Sequence, residues 1–367
     1  PNDAVMNRKD DFSRLEISLP ACLENYKYFR SKLEPSTKLL VLVKANAYGH
    51  GVKDCLAALA NTDAFGVACL EEALEIRELG YQQPITLIEG IFSAEEMQIV
   101  IDQNIEIVVH HQQQLDWLRA QKDAYIAKNL KIWVKLNSGM NRLGFKVDEI
   151  IDVIHQLKAD GFNCVLAMHF ANADADNHPL NEQQKQQFLH VKEACAPILA
   201  SCCNSAAIFK WPELNFDFVR PGIMLYGASP FADKTVEDLD IQPVMTFTAE
   251  IIALNTIQAG ESVGYGSTFI ADKETELAIV SIGYGDGYPR AFFKQNYVAI
   301  NGQKVPVVGR VAMDMIAIDV TDLNAQLGTQ VELWGKHRLV DDVAEANSTI
   351  GYELLCRLSN RPIRKKL

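Results

Sequence analysis

Val41-Leu42-Val43-Lys44-Ala45-Asn46-Ala47-Tyr48-Gly49-His50-Gly51 runs from a β-branched apolar strand into a turn of small and glycine residues, with a lysine at the junction. An apolar strand end holds an amine partly out of water, which disfavours its charged form and makes it a usable Schiff-base nucleophile or base. An ordinary surface lysine would instead lay its stem along apolar neighbours and keep its ammonium in solvent. The strand-end position makes Lys44 the candidate covalent handle.

Outward from this strand, short β-branched runs alternate with helical stretches as far as Arg220, the pattern of βα units rather than of hairpins. Strands are expected at 39–43, 64–68, 85–88, 105–109, 132–136, 164–168, 201–204 and 218–220, enough for a closed (β/α)8 barrel of the TIM type. Helices are expected at 70–79, 94–103, 112–127, 147–159 and 182–200, each with apolar residues at helical spacing. After Gly227 a Pro- and Asp-containing connection leads to strands separated by glycine turns, with Asn301-Gly302 a strong hairpin signal. The expected division is therefore a barrel domain over 1–235 and a mostly-β domain over 236–367.

At 367 residues the chain has ample core for two domains. Its net charge of -12 argues against a nucleic-acid surface, which neutralises phosphates with clustered Lys and Arg. No apolar stretch approaches a membrane span, and residues 1–11 lack the order of a signal peptide. Eight cysteines without a C-x-x-C pair read as buried thiols in a reducing compartment, hence a cytoplasmic location. The vicinal Cys202-Cys203 is expected to point its side chains to opposite faces of a strand.

In a barrel the catalytic groups gather at the C-terminal strand ends. Lys44, Lys135, Arg142, His169, Asn204, Ser205 and Arg220 all fall at or just beyond such ends. Arg220-Pro221-Gly222-Ile223-Met224-Leu225-Tyr226-Gly227 adds a Pro-Gly step opening a helical turn, whose free backbone N–H groups suit a phosphate.

The Lys44 string resembles the pyridoxal-phosphate attachment segment of alanine racemases, and the resemblance extends from about Arg14 to Arg364. It implies that Lys44 carries pyridoxal 5'-phosphate and that Tyr48, Ser205, Tyr352 and the amides of Gly222 and Ile223 hold its phosphate. Asn204 joins the cofactor-binding set. Arg220 would face the pyridine nitrogen; arginine does not surrender its proton, so that nitrogen stays largely unprotonated and the cofactor is a shallower electron sink. Racemisation needs a base on each face of the substrate. The resemblance implies Lys44 for the D enantiomer and Tyr265, in Val263-Gly264-Tyr265-Gly266-Ser267-Thr268, for the L enantiomer. The tyrosine would enter from the partner subunit of a homodimer, poised through His169 and Arg220.

Arg142 in Gly139-Met140-Asn141-Arg142-Leu143-Gly144 would bind the substrate carboxylate, with Lys135 as a candidate carbamylated lysine orienting it. Met313, in Gly309-Arg310-Val311-Ala312-Met313-Asp314, would contact that carboxylate from the partner chain, and Tyr284 would stand at the substrate entrance. Ala312 replaces a frequent cysteine, and the tail Asn360-Arg361-Pro362-Ile363-Arg364 alters the common Arg-Val-Pro order. The implied activity is interconversion of L- and D-alanine, supplying D-alanine for peptidoglycan. The rivals are a broad-specificity amino-acid racemase, a barrel-type decarboxylase, which would pair the pyridine nitrogen with a carboxylate, and a non-catalytic cofactor-binding barrel, which would lack the β domain.

Overall fold

The computed structural model describes residues 13–367; residues 1–12 of the expected barrel domain lie outside the described residues. The parallel strands Lys38–Leu42, Ala64–Val67, Ile85–Leu87, Ile105–Val109, Lys131–Lys135 and Asn163–Ala167 lie side by side in chain order. At one end of this sheet stands Leu199–Ser201, and at the other Phe218–Arg220 followed by Cys203–Asn204. The two outermost pieces are halves of one strand interrupted at Cys202, so the sheet closes on itself as an eight-stranded barrel. Closure removes every free edge.

The break at Cys202 also corrects the expectation for the vicinal cysteines. Their sulfurs lie 4.0 Å apart and both approach the Leu214 carbonyl, at 3.4 and 3.3 Å. An interrupted strand loses the strict alternation of faces on which that expectation rested. Two helices also depart from the periodicity reading. The stretch 112–127 divides at Gln121 into Gln112–Ala120 and Lys122–Ala127, and the helix expected over 182–200 is Pro179–Ala194, opened by a proline whose missing N–H costs nothing in a first turn.

Below the mouth the barrel is filled. Trp133 and Phe218 pack with ring centroids 5.0 Å apart, beside Leu40, Val108 and Ala167. The Trp133 indole donates to the buried Glu106 carboxylate at 3.2 Å, which also accepts from the Lys131 backbone N–H at 2.9 Å. The interior therefore provides a floor rather than a channel, and any ligand must sit at the C-terminal strand ends.

In the second domain an antiparallel ring passes through Thr275–Val280, Ile316–Asp319, Gln303–Val308, Tyr297–Ile300, Gln330–Trp334 and Met245–Ile257, which returns to pair with Thr275–Val280. To this ring are added Ser13–Ile17, antiparallel to Met245–Ile257, and Ile363–Lys366, parallel to Ser13–Ile17. The chain thus begins its described course in the β domain's sheet, an exception to assigning everything before residue 236 to the barrel. Alternating burial along Ser13–Ile17 is compatible with any half-covered sheet, so local pattern does not reveal which sheet it joins.

The two domains are stapled by polar groups as well as by core packing. Asn25, buried on the helix Leu19–Ser31, donates to the carbonyls of Leu225 (3.1 Å) and Gln242 (2.8 Å) and accepts from the Gln242 N–H (2.9 Å). Asp341 accepts from the Ser229 N–H at 2.9 Å, joining the barrel's final turn to the helix Val340–Ala346. Burial pushes the Asp341 carboxyl up to about 6 from an ordinary 3.8, despite the Ser229 hydrogen bond that opposes the shift.

A folded-state pKa above the unfolded value means that the native protein binds this proton more tightly. Its contribution to stability is present below about pH 4 and is lost as pH rises through 6. Asp341→Asn should therefore raise stability at pH 7.5 by about 1–3 kcal/mol, since the amide keeps an acceptor for Ser229 without a buried charge. Thermal unfolding at pH 7.5 and pH 5 checks this: the gain should shrink at the lower pH, and equal melting temperatures of variant and parent at both values would exclude it.

Candidate active site

Six of the residues singled out at strand ends meet in one place. Lys44, Lys135, Arg142, His169, Asn204 and Arg220 line a cavity of about 360 Å³ at the barrel mouth, with Glu89 at its rim. Burial first, and the neighbouring cations after it, depress Lys44, Lys135 and His169. Burial lowers the Lys44 amine, and the nearby Arg142 lowers it further, with Glu89 opposing. Lys135 is pushed down to about 8 by burial and then by Arg220, Arg142 and Lys44. Burial and the same cations, Arg220 foremost, hold His169 well below the usual imidazole range, so it is neutral at physiological pH. The cavity therefore offers two amines that give up their protons more readily than ordinary lysines, and a neutral imidazole, beside permanent guanidinium charge, a setting for an anionic ligand whose protons must move.

Lys44 is held by unusual backbone. Ala45, Asn46, Ala47 and Tyr48 take positive φ values of 51°, 55°, 54° and 53°, a left-handed helical turn that ends at Gly49 with φ 80°. Each non-glycine residue in such a turn costs about 1–2 kcal/mol, so the surroundings must over-determine it. They do so at nearly every peptide. The Ala45 N–H donates to the Glu72 carboxylate at 2.6 Å, Asn46 Oδ1 accepts from the Val52 N–H at 2.9 Å, and the buried His50 ring bonds the Tyr48 carbonyl at 2.9 Å through Nδ1. From the β domain, Arg364 Nε donates to the Gly49 carbonyl at 2.8 Å. Gly49 itself admits no side chain, because a Cβ would lie 1.9 Å from the Leu355 carbonyl oxygen.

The turn brings Tyr48 against the segment expected to receive a phosphate. A Cβ on Gly222 would lie 2.3 Å from the Tyr48 hydroxyl, and the Gly222 N–H donates to Ser205 Oγ at 2.9 Å. Tyr352 reaches the same spot from the helix Gly351–Cys356, its ring 6.2 Å from that of Tyr48. Ile223 opens the short helical turn Ile223–Tyr226. A glycine cradle, two tyrosine rings and a serine hydroxyl thus stand together beside the lysine cavity. Burial raises both tyrosine hydroxyls, so they remain proton donors suited to phosphate oxygens. In the cavity wall the buried Thr86 hydroxyl has no hydrogen-bond partner among the described residues, a polar atom available to a ligand.

Arg220 is fixed rather than free. Its guanidinium donates to the Ser201 carbonyl at 2.9 Å, to Ser201 Oγ and to the Met168 carbonyl. Arg142 rides on a loop closed by Asn137 Oδ1, which accepts from the N–H groups of Gly139 (3.2 Å) and Asn141 (3.0 Å).

The β-domain candidates are elsewhere. Tyr265, Met313 and Tyr284 do not line the barrel cavity of their own chain. They stand on the surface at 73%, 53% and 39% exposure, with Tyr265 beside an apolar hollow that includes Val263, Arg310, Met315 and Ile316. Gly264 and Gly266, with φ 74° and 73°, supply the backbone that sets Tyr265 outward, and Gly266 lies under the Arg310 guanidinium.

Sequence reasoning passed over Glu72 and Ser201. Glu72 sits in the first turn of Leu70–Glu78, where a carboxylate ordinarily serves its own helix; it does bind Ala68 N–H at 2.8 Å, but its second oxygen crosses to Ala45. Ser201 lacked any local signal, since its partner Arg220 is 19 residues away. Among the described residues no cluster of His, Cys, Asp and Glu could hold a metal ion, and no helix is long and apolar enough to cross a membrane.

Comparison with known proteins agrees with this architecture. The family models for the alanine racemase N-terminal and C-terminal domains match residues 17–230 and 244–366. An alanine racemase of Psychrobacter sp. (strain PRwf-1) is 48% identical over 348 residues, covering 90% of this chain and 93% of the relative. The structure of alanine racemase from Acinetobacter baumannii superimposes with a TM-score of 0.96 at 71% identity, covering 97% of this chain and 100% of that one. That of Bartonella henselae alanine racemase, described with covalently bound pyridoxal phosphate, gives 0.85 at 30% identity, covering 97% and 99%. Matched by both family models across its barrel and its β domain, the chain belongs to the alanine racemase family.

Proposed function

We propose that this chain interconverts L- and D-alanine with Lys44 and Tyr265 as opposed bases, in a homodimer whose subunits complete each other's sites. The observation that carries the reading is the partition of the residues. Lys44, Lys135, Arg142, His169, Asn204 and Arg220 share one cavity, while Tyr265, Met313 and Tyr284 are presented outward on the other domain beside exposed apolar surface. An outward apolar patch of this kind suits a subunit interface.

Pyridoxal phosphate is the cofactor of this family, and when bound it supplies an electron sink for the charge left at the substrate's α carbon. Lys44 would anchor it. Tyr48, Ser205, Tyr352 and the Gly222 and Ile223 amides would hold its phosphate, Asn204 and His169 would line its ring, and Arg220 would face the pyridine nitrogen. The Gly222 cradle against the Tyr48 hydroxyl fits such a group.

The protein's own chemistry then follows. Arg142 holds the substrate carboxylate and so sets which face of the α carbon each base meets. Lys44 Nζ, lowered by burial, takes or returns the α proton on one face. The Tyr265 hydroxyl of the other subunit serves the opposite face, poised through His169 and Arg220. Arg220 cannot give up its proton, so it withholds protonation from the pyridine nitrogen and limits side reactions of the carbanion. Lys135 carries an amine pushed down to about 8, and an uncharged amine is the form that takes up carbon dioxide as a carbamate. We assign it the orientation of Arg142.

We keep the division between the domains at 235/236, ahead of the strand Met245–Ile257. A cytoplasmic location and a supply of D-alanine for peptidoglycan accompany the reading; free buried thiols at Cys22, Cys55, Cys164 and Cys195 support the first.

The test is proton NMR of L-alanine in D2O with cofactor-loaded protein, with chirality analysed alongside. Loss of the α-proton signal together with appearance of D-alanine is expected. Faster turnover of bulkier amino acids than of alanine would favour a broad-specificity racemase.

A further inference from the structure

Two β-domain loops assigned above to the substrate side are locked together by one arginine of the C-terminal tail. The turn Ala312–Met315 is closed by the Ala312 N–H donating to the Met315 carbonyl at 3.0 Å, which puts Met313 and Asp314 at its tip. Beside it, Tyr284 N–H donates to the Ala312 carbonyl at 3.1 Å and Gly285 N–H to the Met313 carbonyl at 2.8 Å. These backbone bonds define the register of the two loops, yet their tips, Tyr284 and Met313–Met315, are exposed and are not held by apolar burial.

Arg361 spans them. Its Nη2 donates to Asp314 Oδ1 at 2.7 Å, and its Nε lies 3.3 Å from Oδ1 of Asp286, a buried carboxylate whose Oδ2 accepts from the Gly283 N–H at 2.9 Å. The guanidinium passes over Gly285 so closely that a Cβ there would lie 2.1 Å from Nη1. Arg361 is itself held at its backbone, its N–H donating to Ser359 Oγ at 3.2 Å while the Ser359 N–H donates to the Asp286 carbonyl at 3.1 Å. One planar fork therefore grips the Met313 turn and the Tyr284 turn at once, from a tail tied to both. A lysine has a single point of charge and cannot reproduce that double grip.

We propose that Arg361 is the positioning residue that sets Met313 and Tyr284 for the active site of the other subunit. It touches neither substrate nor cofactor. The inference rests on the shared-site reading given above and adds to it the element that holds those two residues in place. Because Arg361 acts in trans, its loss should alter substrate binding without altering the cavity around Lys44.

The test uses Arg361→Met, with Arg361→Lys as a milder variant should the first fold poorly. The expected result is a KM for alanine raised about tenfold, the equivalent of one hydrogen bond to a charged group, with kcat changed less and the cofactor's visible absorbance unchanged. An unchanged KM in both variants overturns the proposal. Arg361→Met subunits are then mixed with an excess of Lys44→Ala subunits. In the hybrid dimer the sole intact lysine faces loops that retain Arg361, so KM should return to the parent value; a KM that stays high means that Arg361 acts within its own subunit and also overturns the proposal. A control mixture of Lys44→Ala with Tyr265→Phe tests sharing by itself. If that pair fails to restore activity, the shared-site reading falls, and with it the action in trans.

Discussion

Lys44→Ala should lose both the visible absorbance of the lysine-bound cofactor and racemisation in either direction, by more than about 10⁴-fold. The magnitude is large because one side chain carries two duties: it anchors the cofactor and moves a proton on one face. The backbone around it argues that the effect will be local. The left-handed turn is held by Glu72, His50, Asn46 and Arg364 rather than by the lysine side chain, so the variant should unfold within a few degrees of the parent. Absorbance titration with added pyridoxal phosphate and a coupled D-alanine assay measure the two effects separately. Retention of the absorbance band would mean that the cofactor is attached at another amine.

Tyr265→Phe should keep the cofactor and lose proton removal from L-alanine by about 10²–10⁴-fold, the usual contribution of a positioned acid–base group. The steady-state rates cannot reveal the asymmetry. L- and D-alanine have equal free energy, so kcat/KM must fall equally in both directions whichever base is removed. The informative measurement is exchange of the α proton with D2O, followed separately for each enantiomer by proton NMR. D-alanine should continue to exchange through Lys44 with its configuration retained, while exchange of L-alanine collapses. Equal losses for the two enantiomers would exclude Tyr265 as a base for one face. The exposure of Tyr265 on its own subunit and its flanking glycines make the substitution mild for the fold of that subunit.

Much of the site was legible because barrel chemistry is read from strand ends. A strand announces itself by β-branched residues over four or five positions, and the polar residue that follows must lie at the mouth whichever way the barrel is assembled. This is why Lys44, Lys135, His169, Asn204 and Arg220 could be gathered from separate segments and are found around one cavity. The phosphate-side group was legible less directly. Gly222 beside Ser205 follows from two adjacent strands, but Tyr48 beside Gly222 depends on a turn of the wrong hand, which no propensity of Ala, Asn or Tyr would suggest.

What the sequence determined by itself was the order and kind of the barrel strands and of the glycine-turned strands after them, since hydrophobic period and glycine turns are local properties of the chain. It also determined the chemical identity of the residues delivered to the barrel mouth. Tertiary structure alone decided the rest. Closure of the barrel across the break at Cys202 and the enlistment of Ser13–Ile17 into the β domain's sheet join segments far apart in the chain. The left-handed turn after Lys44 is bearable because Glu72, 27 residues beyond Ala45, and Arg364, 315 residues beyond Gly49, both bind it. The grip of Arg361 on two loops is of the same kind. In each case the deciding energy comes from hydrogen bonds and steric contacts between residues distant in sequence, and these exist only once the chain has folded.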